Sequence, residues 1–289
     1  MNNRFLGNAA CLTKYDLFIL TANLFDLPVW YITMLTESET RNKGDRNATN
    51  YRIGSKNTRL HEAMKTMFYG DDATTSEVCE LLRDQGVTTK MTAIRNNQKA
   101  GHYRIGYITH FNHKERAAYF EGVAALIDKT INQVIFLDPD TGIMPSFHKL
   151  GAGKGSSFVS STEIKTLLDM VSDESIIMIH QQLTNYQYSH EARVKDLQQD
   201  LQPNIILLAD EVIQSGMYFI TKNQTCHDLL LNYLLEHLTQ YKFLKSSDRV
   251  ILISGTAEGI TINHLGVKNK TTADKTTPDS VTTTNETNE

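Results

Sequence analysis

Apolar residues recur along the chain with two different spacings, and each spacing predicts one kind of element. Where they recur every three or four residues, the pattern predicts helices, at 14–25, 58–69, 75–85, 113–128, 160–171, 190–201 and 226–241. Short runs rich in β-branched and aromatic residues predict strands, at 27–35, 89–94, 103–111, 133–137, 175–181, 204–210 and 216–223. Residues 249–255 fit either one more strand or a final turn.

The alternation of strands and helices is typical of an α/β fold. We therefore expect a mostly parallel sheet with helices on both faces. The strands at 204–210 and 216–223 follow each other closely and predict an antiparallel hairpin near the C-terminus. The helix at 160–171 has the start signal of a capping box, because Ser160 stands three residues before Glu163.

The composition divides the chain into a domain and a tail. Residues 1–265 are predicted to form a single domain, since 289 residues with 40% hydrophobic content supply ample core. Residues 266–289 are rich in Thr and Asn and have almost no large apolar side chain. Such a segment cannot bury enough apolar surface to offset its ordering entropy, so we expect a disordered tail.

Charge and cysteine content restrict the classes of function. A net charge of -4 gives no support for broad electrostatic binding to nucleic acid or membranes, although a local basic patch remains open. The three cysteines are far apart and form no C-x-x-C pair, which fits a reducing compartment.

The N-terminus lacks a signal-peptide pattern and no apolar stretch is long enough for a bilayer, so we expect a cytoplasmic protein without membrane contact. The oligomeric state is left open.

Two carboxylates follow the clearest strand, 133–137, where Asp138 and Asp140 flank a proline. In open α/β sheets ligands bind outside the carboxyl ends of the strands, so both are candidate catalytic residues. His180 stands at the end of the strand 175–181 and joins them if the two strands are neighbours. The alternative is a plain turn, since Asp, Pro and Gly also favour turns for local reasons.

A metal-dependent phosphodiester hydrolase is one hypothesis for this strand end. Nucleases with a Pro-Asp and a Glu-x-Lys motif have the same letters as Pro139-Asp140 and Glu163-Ile164-Lys165 here. In that case Asp138 and Asp140 would hold Mg²⁺ or Mn²⁺, which activates water. The motif requires Glu163 and Lys165 on a strand, whereas the capping box places them in the first turn of a helix.

The chain resembles the bacterial adenine-N6 methyltransferases of large-subunit ribosomal RNA in three places. Those enzymes begin with a box of the form G-N-x-A-D-V-x-K-H, and residues 7–15 here are "GNAACLTKY". They have a strand that ends in D-P-P-Y, where residues 138–141 are "DPDT". Near their C-terminus they have S-G-M and an apolar strand ending in Asn, where residues 215–223 are "SGMYFITKN". The three matches occur in the same order.

This resemblance implies a Rossmann-like, methyltransferase-like fold whose last strand is antiparallel to the rest. It implies a methyltransferase-related enzyme acting on nucleic acid or a nucleotide, with S-adenosylmethionine as cofactor. Asp138 would orient the target amino group, while Asn8, Lys14 and Tyr15 would lie at the cofactor.

The chain departs from this family in three ways. The family has a glycine-rich turn after its first strand, whereas no glycine follows the strand at 27–35 here until Gly44. Asp140 stands where the family has a proline. Thr141 stands where the family has a stacking tyrosine. The chain also resembles uncharacterised bacterial and phage proteins with an F-L-G start and an L-D-P-D-x-G box. A non-catalytic binding scaffold is therefore a third hypothesis.

Overall fold

The computed structural model describes residues 9–32, 34, 53, 56–68, 115–125, 127–145, 158–183, 189–211, 213–241 and 250–265. The predicted helix at 75–85, the predicted strands at 89–94 and 103–111, and the tail at 266–289 lie outside these residues. Asn8 also lies outside them.

Helices and strands alternate through most of the described chain. The helices are α1 (Ala9–Phe25), α2 (Thr58–Phe68), α3 (Arg116–Ala124), α4 (Ser161–Met170), α5 (His190–Leu201) and α6 (Gln224–Thr239). The strands are β1 (Val29–Ile32), β2 (Val134–Leu137), β3 (Gly142–Ile143), β4 (Phe158–Val159), β5 (Ile176–Gln182), β6 (Asn204–Asp210), β7 (Ser215–Thr221), β8 (Val250–Thr256) and β9 (Gly259–Leu265).

Seven of these strands form one open sheet in the order β1-β2-β5-β7-β6-β8-β9. The pairs β1–β2 and β2–β5 are parallel, whereas β7 and β8 run antiparallel to their neighbours. Five strands consequently point one way and two point the other. The predicted α/β class, with a mostly parallel sheet, is confirmed.

The predicted C-terminal hairpin is confirmed, with an added detail. Strand β7 turns back from β6 and inserts between β6 and β5, pairing antiparallel with both over its whole length. Strands β8 and β9 form a second antiparallel hairpin at the sheet edge. The stretch predicted at 249–255 is therefore a strand from Val250 onward, and β9 was missed because its pattern is largely exposed.

Helices pack on both faces of the sheet, as the alternation predicted, and each face has its own core. One core joins α1, α2 and α6 to side chains such as Tyr31, Phe136 and Met178. The other joins α3, α4 and α5 to side chains such as Ile135 and Ile179. The two sets alternate along each strand because successive side chains point to opposite faces.

The helix starts follow local capping rules where the sequence carries them. The Ser160 hydroxyl accepts from the Glu163 amide, and the Glu163 carboxylate accepts from the Ser160 amide, so the predicted capping box is confirmed. Helix α1 begins at Ala9, before the predicted start at residue 14. No described helix has the length and apolar character needed to cross a membrane.

Candidate functional site

Asp138 follows directly after β2 at the carboxyl edge of the sheet, and its side chain is fully buried. Its amide donates to the Ile32 carbonyl of β1 at 2.9 Å, which extends the β1–β2 pairing by one residue. The strand alternation turns its carboxylate to the same face as Tyr31 and Phe136, the face covered by α1. The local fold thus buries an acid at a strand end.

Lys14 of α1 supplies the opposite charge. Its Nζ donates to both Asp138 oxygens, at 2.9 Å to Oδ1 and 2.7 Å to Oδ2. Lys14 is 4% exposed on a helix whose residues 11–19 are all buried. The ion pair joins residues 124 positions apart. Two segments that the resemblance implies for one site therefore meet in one contact.

Two tyrosines complete the surroundings of the carboxylate. The Tyr31 hydroxyl donates to Asp138 Oδ2 at 2.7 Å. The Tyr15 hydroxyl lies 3.3 Å from the Tyr31 hydroxyl, and the two rings meet edge to face. Asp138 thus receives hydrogen bonds from an ammonium and a phenol, which fix its orientation.

The ion pair shifts the titration of its members. Burial by itself disfavours the charge on each group, but mutual attraction outweighs it. The pKa of Lys14 is raised above its usual value, with Asp138 and the adjoining Cys11 acting against desolvation. The pKa of Asp138 is lowered, since Lys14 and then His180 outweigh the effect of burial. Both groups are therefore charged across the neutral range.

His180 of β5 lies beside Asp138, as the sequence hypothesis required. Strands β2 and β5 are neighbours with Leu137 opposite Ile179, so the next residues on each strand are adjacent. His180 Nδ1 is 3.6 Å from Asp138 Oδ1, beyond hydrogen-bond distance. His180 Nε2 is 3.1 Å from the Ser215 hydroxyl at the start of β7, which fixes the other side of the ring.

His180 is neutral at physiological pH. Burial lowers its pKa first and the Lys14 cation lowers it further, while Asp138 and the Pro139 backbone raise it, with a net value of about 4. Because Lys14 already balances the Asp138 charge, little attraction is left for an imidazolium. His180 is therefore suited to hydrogen bonding rather than to proton transfer near neutral pH.

The turn after Asp138 is held by one glutamine. The Gln181 side chain accepts from the Ile143 amide at 2.9 Å and donates to the Thr141 carbonyl at 3.0 Å. Gly142 between them has φ 118°, and a Cβ there would overlap the Gln181 amide group. The glycine of the D-P-D-T-G sequence is therefore required by this close approach.

The Glu163-x-Lys165 motif is in the first turn of α4 and not on a strand. The Glu163 carboxylate is bound by the Arg116 guanidinium through two hydrogen bonds of 2.6 Å. Arg116 also donates to the Phe158 carbonyl at 2.8 Å, so the pair ties α3, α4 and β4 together. Glu163 is thus held in a structural ion pair with Arg116. It lies on a helix, whereas the nuclease motif requires it on a strand.

The structure brings four of the predicted site residues into one cluster: Asp138, Lys14, His180 and, through Tyr31, Tyr15. Asp140 is half-buried one residue beyond Pro139, and it takes no part in the contacts of Asp138 given above.

Sequence reasoning missed Tyr31 and Ser215 as members of this cluster. Ser215 stood in the S-G-M segment, which gave a usable signal. Tyr31 gave no signal in the sequence, because its hydrogen bond to Asp138 depends on the pairing of β1 with β2.

A separate open depression lies on the opposite face of the sheet. It is lined by α5 residues and by the segment after β3, including Arg193, Asp196 and Met144. Gln181 and Tyr218 form its floor, and they point away from the face that carries His180 and Asp138. This depression is therefore not part of the Asp138 site.

Among the described residues, no group of three or more His, Cys, Asp or Glu side chains is placed to hold a metal ion. Comparison of the chain with models of protein families and with curated proteins gives no match.

Proposed function

We propose that the chain is a methyltransferase-related enzyme that acts on an amino group of nucleic acid or of a nucleotide, with S-adenosylmethionine as methyl donor. Its fold would be Rossmann-like. The site would be the carboxyl edge of the sheet around Asp138. The observation that carries the proposal is the buried ion pair between Lys14 and Asp138.

This ion pair joins two motifs that the resemblance had placed in one site. Lys14 belongs to the N-terminal box and Asp138 to the strand-end box, 124 residues later. The S-G-M segment enters the same cluster through the contact of Ser215 with His180 at 3.1 Å. All three segments of the resemblance thus meet at one edge of the sheet, in agreement with the general location of ligand sites in α/β folds.

The chemistry of Asp138 suits the role of holding the amino group that is to be methylated. Methylation of an amino group needs an acceptor that holds an N–H and directs the nitrogen lone pair at the methyl carbon. A carboxylate kept ionised by Lys14 is such an acceptor, and each of its oxygens has more than one lone pair. Lys14 would hold the acid in place and keep it charged, and S-adenosylmethionine would supply the methyl group.

The topology also agrees with the proposal. The resemblance implies a last strand antiparallel to the rest. Strand β7, which carries the S-G-M segment, is antiparallel to both of its neighbours, although β8 and β9 follow it in the same sheet. One departure, the missing glycine-rich turn after the strand at 27–35, concerns the cofactor side, and the other two concern the acceptor side of the motif. Asp140 and Thr141 offer no ring to stack on a base, so stacking would have to come from another residue.

Calorimetry with S-adenosylmethionine and S-adenosylhomocysteine tests the proposal directly. Binding should be followed by transfer of a radiolabelled methyl group to total RNA, to denatured DNA or to adenosine. Asp138→Asn should lower the transfer rate about a hundredfold or more, because it weakens a hydrogen bond made in the transition state. Asp169→Asn on the exposed side of α4 is the matched control and should leave the rate unchanged.

Calorimetry with metal ions and a nuclease assay distinguish the other two hypotheses. Binding of Mg²⁺ or Mn²⁺ with cleavage of a phosphodiester, lost in both Asp138→Asn and Asp140→Asn, would establish the metal-dependent hydrolase instead. On the methyltransferase hypothesis Asp140→Pro should be tolerated, since the family has proline there. Failure to bind either the cofactor or a metal would leave a binding scaffold.

A further inference from the structure

Strand β9, Gly259–Leu265, is the last strand at one end of the sheet. It pairs with β8 along its whole length, from Gly259 opposite Thr256 to Leu265 opposite Val250. Within the described part of the chain, no strand pairs with its other edge. Each of its seven residues is exposed or half-buried. The outer edge therefore presents a row of backbone amides and carbonyls to which a further strand can bond.

Strand β9 lacks the features with which soluble proteins usually protect a sheet edge. Protected edges are short, or they carry a charged side chain, a proline or a bulge. The sequence of β9 is "GITINHL", with no Asp, Glu, Lys, Arg or Pro, and its register with β8 runs without a bulge. At seven residues it is also slightly longer than the usual strand. A strand of this kind is suited to pairing with another strand.

Apolar side chains on one face of β9 continue the core out to this edge. Ile260 packs against the core that contains α5, and strand alternation puts Ile262 and His264 on the same face. Ile262 lies opposite Ile253 of β8, which is 2% exposed, yet Ile262 itself is 39% exposed. A further strand beyond β9 would cover Ile262 in the way that β9 covers Ile253.

The order of residues in β9 suits antiparallel pairing with a second copy of the same strand. With a two-fold axis at the central residue, the opposed pairs are Ile262 with Ile262, Thr261 with Asn263, Ile260 with His264 and Gly259 with Leu265. No pair opposes two like charges, the central pair is apolar, and the pair beside it can form a hydrogen bond. A Cβ placed on Gly259 would meet no atom within 4 Å, so the Leu265 side chain of the second copy has room there.

We propose that β9 is the interface of a symmetric homodimer, in which the sheets of two copies join edge to edge through antiparallel pairing centred on Ile262. The occupant of the edge is a second copy, because every position of the strand finds a compatible partner in its own sequence. The interface is isologous and closed, since each copy uses the same edge once. One pair of strands buries less surface than a standard interface of about 1,600 Å², so the dissociation constant should be about 1–100 μM. The dimer is independent of the proposed methyl transfer.

Sedimentation equilibrium of the full chain tests the association. Between about 1 and 300 μM the mean mass should rise from 32.7 kDa towards twice that value. Ile262→Lys removes the central apolar pair and opposes two ammonium groups, so it should weaken the dimer about tenfold or more. Ile131→Lys is the matched control, because Ile131 is also 39% exposed but lies before β2, with four strands between β2 and β9. Circular dichroism should show both variants folded.

Cross-linking tests the register and does not depend on how Ile262→Lys folds. Opposed residues of an antiparallel pair have Cα atoms about 4.5–5.5 Å apart, a separation that disulfides span. Ile262→Cys should therefore form a cross-linked dimer under mild oxidation, whereas Ile131→Cys should cross-link no more than wild type. A mixture of Thr261→Cys and Asn263→Cys should cross-link faster than either variant alone, because residue 261 of one copy lies opposite residue 263 of the other.

Three results would overturn the proposal. The first is a chain that sediments as a monomer throughout this range, with Ile262→Cys cross-linking no faster than Ile131→Cys. The second is a dimer that Ile262→Lys leaves intact, since another surface would then hold the two copies together. The third is cross-linking of Thr261→Cys alone as fast as in the mixture, since the strands would then not pair antiparallel about Ile262.

Discussion

The buried ion pair of Lys14 and Asp138 should dominate the stability of the carboxyl edge, and Asp138→Asn is the most direct perturbation. The substitution keeps the size of the side chain but leaves the Lys14 ammonium, 4% exposed, without its counter-charge. Removing one partner of a buried pair typically costs about 3–5 kcal/mol. For a domain of this size that corresponds to a fall of roughly 6–20 °C in the unfolding midpoint.

A double-substitution cycle separates the pair from other effects. Lys14→Met should also destabilise, because it removes the cation from the Asp138 carboxylate and, within the described part of the chain, leaves the Tyr31 hydroxyl as its side-chain donor. The double variant Lys14→Met/Asp138→Asn buries no lone charge and should cost clearly less than the sum of the two single changes. Urea unfolding at pH 7 followed by circular dichroism gives the three values.

Exposed residues provide the matched controls for this cycle. Lys165→Met and Asp169→Asn change the same residue types on the outer side of α4, and each should stay within about 0.5 kcal/mol of wild type. Single changes at Lys14 and Asp138 that are as mild as these controls would show that the ion pair does not stabilise the carboxyl edge. Strictly additive effects in the cycle would show the same.

The pH dependence of the pair follows from the two directions of shift. The pKa of Asp138 is lowered by folding, so its stabilisation is present above its unfolded pKa and is lost as pH falls through the folded value. The pKa of Lys14 is raised, so its stabilisation is lost only as pH rises through the folded value, above 10.5. Between these limits the contribution of the pair should be constant.

Three further substitutions have expected outcomes of their own. Folding lowers the pKa of His180 from 6.5 to about 4. Between pH 6.5 and pH 4 the unfolded chain therefore binds more protons than the folded chain. The free energy of unfolding should fall as the pH drops through this interval, by about 3 kcal/mol in total. His180→Asn should flatten that part of a pH series of urea unfolding curves, and an unchanged slope would assign the effect to another group. Gly142→Ala should destabilise by at least about 1–3 kcal/mol through its positive φ and overlap with Gln181, whereas a neutral result would show that the turn relaxes. Ser160→Ala should cost about 1 kcal/mol in thermal unfolding through loss of the cap that it forms with Glu163, and no loss would mean that water replaces it.

The sequence by itself determined the elements that depend on local patterns. Strand β2, Val134–Leu137, is a continuous apolar run because it is an interior strand buried on both faces, and such a run is visible without a structure. The capping box at Ser160 was equally visible, because its two hydrogen bonds join residues three positions apart. The position of Asp138 at a strand end followed from the same local pattern.

Tertiary structure decided the state and partners of these groups. That Lys14 spans the core to Asp138, and that Tyr31 donates to the same carboxylate, depends on how α1 lies on the sheet and on the β1–β2 register. Local patterns do not encode such contacts, because residues more than a hundred positions apart are brought together by packing alone. The neutral state of His180 likewise follows from burial and from the nearby Lys14 charge, neither of which is visible in the sequence around it.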